Sequence, residues 1–454
     1  MDALHTDLYQ LTMAAGYFHR GMKDDVATCE MFVRRLPKAR RYLVAMGRER
    51  VLSYLTGLRF TPEQIDFLAS LPALRDAMTP AFREYLAGLR FTGDVWAAPE
   101  GTIVFANEPL FRVTAPLIEA QLVETYLLSV VNHGTMVASK AARIVRTASP
   151  ASVVEFGSRR THPEEAVDAA RAACAAGCVG TSNVEAGMRF GLKVTGTAAH
   201  MWTMAHASEE AAFEGYVEVF PNAAILLIDT YDTLRGAERA ARIAREKLQG
   251  VRLDSGDLLA LSRGVRKVLD DNGCASAKIV ASGDLNEYKI AALRKENAPI
   301  DLYGVGTDLV TSLDAPSLGG VYKLVELARG GQRLPIAKFS EGKGTLPGQH
   351  QVWRFRSGGP GGEGFSDVIA LADEDPKALG AGEAQGLLAP AMKGGARVDP
   401  PESIDAIRAR VKAGLDSLPA SAHALEEGPA AVVASVSPKL GALVEDVRAK
   451  FVAS

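Results

Sequence analysis

Gly250-Val251-Arg252-Leu253-Asp254-Ser255-Gly256-Asp257, running into the helical pattern Leu258 to Asp271, is the most telling stretch of the chain. A short apolar run closes on polar residues and a glycine, and a 3.6-residue period then takes over. That succession is a strand feeding a helix, the β/α unit of a parallel sheet. Outward from it, short apolar runs recur at 152–156, 178–182, 193–196, 223–229, 278–282, 301–305 and 321–327. Several intervals carry helical patterns, Pro163 to Ala176 among them. Eight such runs predict an α/β fold with an irregular (β/α)8-type barrel over 148–327, the short gap between the second and third marking the irregularity. No sequence repeat accompanies the pattern.

The flanks read differently. Thr6 is placed to cap a helix whose Leu8, Leu11, Ala15 and Phe18 share a face until Gly21. Residues 26–34 alternate like a strand and end in Arg34-Arg35. Residues 46–90 look helical with breaks at Gly57, Pro62, Pro72 and Pro80, and Val95 to Val113 turns to short β-like runs. A long helical region, Pro116 to Thr147, is expected to break near Gly134. Past the barrel, Val352 to Phe355 and Val368 to Leu371 read as strands around a Gly-rich loop at 357–364, and 400–454 as an Ala-rich helical pair. The residues alone leave open whether 1–147 and 328–454 form one domain or two.

Composition narrows the partners. The 454 residues, 47% hydrophobic and 23% charged, describe a globular chain with more than one core. Lys and Arg total 51 against 54 Asp and Glu, a net charge of −3 that offers no cationic excess for a nucleic-acid backbone. The run Ala223 to Ile228 is far too short to span a bilayer, and the first residues, with Asp2 and Asp7, lack the cationic start of a signal peptide. Four cysteines, Cys29, Cys174, Cys178 and Cys274, point to a reducing, cytoplasmic compartment. Cys174 and Cys178 read as i and i+4 on a helix, with no further ligands to complete a zinc site.

The expected strand ends carry the chemistry. They present Glu155-Phe156-Gly157-Ser158-Arg159-Arg160, Gly180-Thr181-Ser182-Asn183, Gly196-Thr197 to His200, Asp229-Thr230-Tyr231-Asp232, Arg252 to Asp257, Ser282-Gly283-Asp284, Gly304-Val305-Gly306-Thr307 and Lys323. Any one Asp or Asn there is as well explained as the N-cap of the next helix. Several converging on one mouth suit a ribose and Mg²⁺, while Gly304 to Thr307 offers bare backbone N–H groups to a phosphate. Arg159, Arg160 and Arg252 suit an anionic substrate, or pair with neighbouring carboxylates. His200 follows the small residues Gly196 to Ala199, which leave room for a phosphate; a neutral imidazole there is either a polar core group or a nucleophile toward phosphorus.

In this order the motifs resemble nicotinate phosphoribosyltransferases of NAD salvage. The match takes in Thr6-Asp7-Leu8-Tyr9-Gln10, Phe32 to Pro37, Glu155 to Arg160, Gly180 to Asn183, Gly196 to His200, Arg252 to Gly256, Ser282 to Asp284, Tyr303 to Thr307, Lys338-Phe339-Ser340 and Pro347-Gly348. The resemblance implies a type II phosphoribosyltransferase: an irregular α/β barrel beside an α/β sandwich built from both chain ends, assembled as a homodimer. It implies formation of nicotinate mononucleotide and pyrophosphate from nicotinate and 5-phosphoribosyl 1-diphosphate. ATP, as co-substrate, would be hydrolysed through a phosphohistidine at His200. Phe156 and the partner subunit's Tyr9 would sandwich the pyridine ring; Arg252, Ser182 and Arg159 would hold its carboxylate. Asp229, Asp254, Ser255, Gly283 and Asp284 would serve ribose and Mg²⁺, the metal reaching Asp229 and Asp284 through the substrate's diphosphate. Gly304, Gly306 and Thr307 would hold the 5-phosphate, and Arg34, Lys323, Lys338 and Lys343 the phosphate and diphosphate groups.

Two departures stand out. Met201 follows His200 where relatives commonly carry Ser, and no cysteine follows Cys274, so no structural zinc is expected. The competing readings are a nicotinamide or quinolinate enzyme of the same fold and a non-catalytic barrel that senses phosphoribosyl compounds. Nicotinamide enzymes carry Asp where Ser182 stands, a charge that would repel a carboxylate. A sensor has no use for His200.

Overall fold

The computed structural model describes residues 3–356 and 364–452, so most of the glycine-rich loop expected at 357–364 lies outside the described residues. Two compact units emerge. One takes the chain up to Met136 together with everything from Ser317 onward; the other is Val137–Pro316.

The first unit is built on a seven-stranded antiparallel sheet. Its order is Gln332–Pro335, Gly320–Arg329, Val26–Val33, Pro109–Pro116, Asp94–Ala97, Ala389–Lys393 and Ala396–Arg397. A four-stranded sheet, Ala384–Gly386, His350–Arg356, Phe365–Leu371 and Ser435–Val436, completes its strand content with a short two-stranded ladder. Val26–Val33 alternates in sequence, yet every position after Val26 is buried. Its polar positions face a second covered surface. Glu30 accepts from the backbone N–H of His350 at 2.7 Å and pairs with its Nδ1 at 2.6 Å, and Thr28 bonds Thr114 at 3.0 Å. The helices Pro62–Ser70 and Pro80–Gly88 start on their prolines behind Thr61 and Thr79, whose hydroxyls accept from Gln64 and Phe82 N–H groups. Such caps contribute about 1 kcal/mol each. The first helix, Leu8–His19, is preceded by Asp7 and not capped by Thr6, which instead bonds Gln10. Gly134 lies inside the helix Glu124–Ala148; the break expected there falls eleven residues earlier, at Val123.

The run 321–327, expected as the eighth barrel strand, belongs to this unit: Gly320–Arg329 pairs antiparallel with Val26–Val33, from Val33 opposite Gly320 to Val26 opposite Ala328. Lys323 therefore sits mid-strand in an antiparallel sheet.

The second unit holds a six-stranded parallel sheet ordered Gly180–Thr181, Ser152–Glu155, Leu302–Val305, Lys278–Ala281, Leu248–Leu253 and Ala224–Leu227. It is an open half-barrel, not a closed (β/α)8 ring. The run 193–196 supplies only a single bridge, Thr181 to Val194, and the run 321–327 is spent elsewhere. The strands are apolar on both faces, with Val153, Val154, Ile279, Val251 and Val305 all buried, as parallel strands covered by crossover helices require. Thr233–Ala244 lays down Ala237, Ala240, Ala241 and Ala244, whose small side chains let the helix approach closely. Leu258–Asp271 forms over the expected residues. Pro163–Ala175 ends before Cys178, so Cys174 and Cys178 do not share a helix; all four cysteines are buried.

Candidate active site

The polar residues at the strand ends divide into two groups. Asn183, Asp232, Asp257 and Asn286 are N-caps, each accepting from backbone N–H groups two or three residues on. Asp229, Asp254 and Asp284 cap nothing. Asp254 and Asp284 line a cavity of about 460 Å³ together with Phe156, Ser158, Arg159, Arg160, Ser182, Gly196 to His200, Leu227, Arg252, Ser282, Gly283, Gly304, Gly306 and Thr307, while Asp229 is not among the lining residues. Phe156, Arg252, Asp284 and Thr307, drawn from four strand ends far apart in sequence, thus meet around one space.

Arg252 is fixed on three sides. Its Nε donates to the Ser282 hydroxyl at 2.8 Å, Nη1 to the Thr197 hydroxyl at 3.0 Å and Nη2 to Asp254 Oδ1 at 2.7 Å. A guanidinium has five N–H donors, so two remain for a ligand. Its central carbon lies 5.6 Å from the Phe156 ring centroid. The Phe156 ring packs against Gly304 of strand Leu302–Val305, where a Cβ would come within 2.5 Å of it. Glycine is required there by space, not by dihedral angle.

Asp254 also receives the Ser282 hydroxyl at 2.5 Å. Burial works against its ionisation, but the Ser282 hydrogen bond and the Arg252 guanidinium outweigh burial and hold the carboxyl below the ordinary aspartate value. Asp284 sits in the left-handed region at φ 46°, after Gly283 at φ 96°. Its backbone carbonyl accepts from Lys289 Nζ at 2.8 Å, and its carboxylate makes no hydrogen bond or ion pair among the described residues. Arg159 and Arg160 are exposed with side chains equally unpartnered there, while Arg252 pairs with a neighbouring carboxylate, Asp254.

His200 begins the short helix His200–Met204. Its Nε2 lies 3.1 Å from Oδ1 of Asp229, whose side chain is 1% exposed against 38% for the imidazole. The other Asp229 oxygen accepts from the Asp254 N–H at 2.9 Å and the Ser255 hydroxyl at 2.6 Å. A carboxylate only accepts, so Nε2 carries the proton toward Asp229 and Nδ1 keeps its lone pair in the neutral ring.

Sequence reasoning quoted Thr197 and Ser282 without seeing that they orient Arg252, and gave Ser158 and Glu155 no role. The Ser158 hydroxyl is buried and without a partner. Glu155 is fully buried; burial pushes its carboxyl up, countered in part by the Thr181 hydroxyl at 2.5 Å and the Gly157 N–H, and it braces the turn carrying Phe156. Thr181, on the strand next to Glu155, and Thr197, in a loop 55 residues before Arg252, left no local signal. Among the described residues no three or more His, Cys, Asp or Glu side chains gather as a metal site on their own.

The remaining expected site residues lie in the first unit. The Tyr9 hydroxyl donates to Glu124 at 3.2 Å, and burial, then Glu124, raise its pKa. Lys323 lies 3.7 Å from the same Glu124. Arg34 donates to the carbonyl of Lys343 at 3.1 Å, which ties it to the loop that also bears Lys338.

A stacked phenyl–guanidinium pair, an open carboxylate and a glycine-lined turn at the ends of parallel strands define an α/β enzyme of phosphorylated sugars that accepts a planar anion. Residues 4–132 match the nicotinate phosphoribosyltransferase (NAPRTase) N-terminal domain, and 151–340 the nicotinate phosphoribosyltransferase (NAPRTase) family. The chain is 40% identical over 448 residues to nicotinate phosphoribosyltransferase pncB2 of Mycobacterium tuberculosis, covering 97% of this chain and 92% of that one. It is 44% identical to the nicotinate phosphoribosyltransferase of Bacillus subtilis, over 82% of this chain and 76% of that one. The crystal structure of human nicotinic acid phosphoribosyltransferase aligns with a TM-score of 0.84 at 30% identity, over 97% of this chain and 99% of that one. The chain belongs to the nicotinate phosphoribosyltransferase family.

Proposed function

We propose that this family member joins nicotinate to 5-phosphoribosyl 1-diphosphate, releasing pyrophosphate and nicotinate mononucleotide for NAD salvage. The observation that carries the reading is Arg252, held by Thr197, Ser282 and Asp254 beside the Phe156 ring with two donors to spare. A flat aromatic acid slides along Phe156 and meets those donors with its carboxylate; Ser182, uncharged, leaves that anion unopposed. The pyridine nitrogen attacks the ribose carbon as the diphosphate oxygen departs with the bonding pair. No proton need be removed from the nucleophile, so orientation carries most of the rate. Positive character grows on the ribose ring, and the Asp284 and Asp254 carboxylates stabilise it. Gly304, Gly306 and Thr307 receive the 5-phosphate, and Arg159 with Arg160 add charge for the anionic substrate. The buried, unpartnered Ser158 hydroxyl is a further donor in the same space.

The unpartnered Asp284 carboxylate, an oxygen donor at the cavity rim, fits Mg²⁺ carried in by the diphosphate. Held there, the ion would supply charge to neutralise the leaving diphosphate. Asp229, with both oxygens engaged, is assigned to His200 and not to the metal. ATP coupling follows the same geometry: Nδ1 of His200, oriented through Nε2 by Asp229, takes the γ-phosphoryl group as ADP leaves, and water later releases phosphate. A homodimer in which Tyr9 of one subunit covers the other's nicotinate remains part of the proposal, as does a cytoplasmic setting, which four buried cysteines suit. No helix among the described residues is long and apolar enough to cross a membrane.

The test is nicotinate-dependent pyrophosphate release from 5-phosphoribosyl 1-diphosphate. The wild type is expected to turn over, and Arg252→Gln to raise the nicotinate KM by about 30-fold or more, the loss of a charged hydrogen-bond pair. Absence of nicotinate mononucleotide with the wild type, or an unchanged KM in the variant, overturns the reading.

A further inference from the structure

The second unit holds a charged cluster around a buried lysine whose members do not line the cavity. Lys140, on the helix Glu124–Ala148, is fully buried. Its Nζ lies 2.7 Å from Glu287 Oε2, 3.0 Å from Asp314 Oδ1 and 3.4 Å from Asp308 Oδ1. An ammonium has three donors, and here it has three carboxylates, the Glu287 contact being an ion pair more than an aligned hydrogen bond. One turn further along the same helix, Arg143 Nε meets the other Glu287 oxygen at 3.1 Å.

What matters is where the carboxylates come from. Glu287 opens the helix Glu287–Lys295, three residues after Asp284. Asp308 directly follows Thr307 in the short helix Thr307–Val310. One buried ammonium therefore grips the segment that presents the ribose carboxylate and the segment that presents the phosphate turn. Both segments need holding. Gly283 and Asp284 lie at positive φ, with the Gly283 Cα packed so that a Cβ would come within 2.2 Å of the Asp254 carbonyl. Asp314, the third carboxylate, sits seven residues beyond Thr307 and carries no site residue.

We propose that Lys140 is a positioning residue for the transfer reaction: through Asp308 and Glu287 it sets the spacing between the 5-phosphate turn and the Asp284 carboxylate. The proposal rests on the assignment of Thr307 and Asp284 to the phosphoribosyl substrate. A merely structural cation would treat its carboxylates alike. A positioning one would not, because only Asp308 adjoins the phosphate turn. Removing Lys140 takes the ammonium from the fully buried Glu287 and risks the fold, so the discriminating variants are Asp308→Asn and Asp314→Asn, both at partly solvated side chains.

Steady-state kinetics of the full chain, with thermal melting alongside, decide the matter. Asp308→Asn is expected to raise the KM for 5-phosphoribosyl 1-diphosphate about fivefold while leaving that for nicotinate within about twofold. Asp314→Asn is expected to keep both at the wild-type level. Equal shifts in the two variants, or an Asp308→Asn enzyme with an unchanged KM for the sugar diphosphate, overturn the proposal. A wild type that fails to make nicotinate mononucleotide would instead overturn the functional reading on which it stands.

Discussion

Gly304→Ala isolates the stacking slot from the fold that carries it. A Cβ at this position would stand 2.5 and 2.6 Å from two atoms of the Phe156 ring. Carbon atoms settle at about 3.5 Å or more, so one side must yield by about 1 Å. The strand Leu302–Val305 is clamped on both sides by parallel neighbours, and the Gly304 backbone cannot retreat. Phe156 is only half-buried and borders the cavity, so its ring moves into the space meant for the pyridine. A displacement of about 1 Å in a reacting geometry costs about 100-fold in rate. Melting temperature should change little, because the ring swings into open volume and leaves the core packing intact. The assay is kcat/KM for nicotinate at saturating 5-phosphoribosyl 1-diphosphate, paired with thermal melting. A variant with wild-type kcat/KM would mean that the Phe156 face is not where the base lies. One that unfolds would mean that the strand, not the ring, gives way.

Two further substitutions probe the acids. Asp229→Asn keeps the size of the group beside His200 Nε2 but replaces an obligate acceptor with an amide that also donates; acid-labile phosphate on the protein after incubation with ATP should fall at least tenfold or so, while ATP-independent transfer persists. Equal labelling in Asp229→Asn and wild type would sever the two residues. Asp254 has a folded-state pKa below its ordinary value, held there against burial by Ser282 and Arg252. It therefore contributes stability above the unfolded carboxyl pKa and loses it as pH falls through the folded value. Denaturation of wild type and Asp254→Asn should differ at neutral pH and converge below about pH 4, whereas a constant gap across that range would contradict the arrangement.

Much of the site was readable because chemistry concentrates where strands end, and strand ends are marked by abrupt changes from apolar runs to Gly, Ser and Asp. Phe156, Ser182, Arg252, Asp284 and Thr307 were found that way and do share a cavity. What one-dimensional pattern could not do was sort the acids. Asp232 and Asp257 look like Asp229 and Asp254 in sequence, yet the former cap helices and the latter do not. Whether a carboxylate turns toward its own backbone or across to the next strand depends on neighbours dozens of residues away, as Asp229 and His200 show.

The same limit explains the missing barrel. The run 321–327, Val-Tyr-Lys-Leu-Val-Glu-Leu, reads as a strand whether its partners run parallel or antiparallel, and hydrophobicity does not record direction. Gly320–Arg329 finds Val26–Val33, nearly three hundred residues back, and that pairing removes an eighth strand from the ring. The site survives the loss because it never needed closure. Five of the six parallel strands deliver Phe156, Ser182, Arg252, Asp254, Asp284 and the Gly304 to Thr307 turn, and the sixth delivers Asp229 to His200.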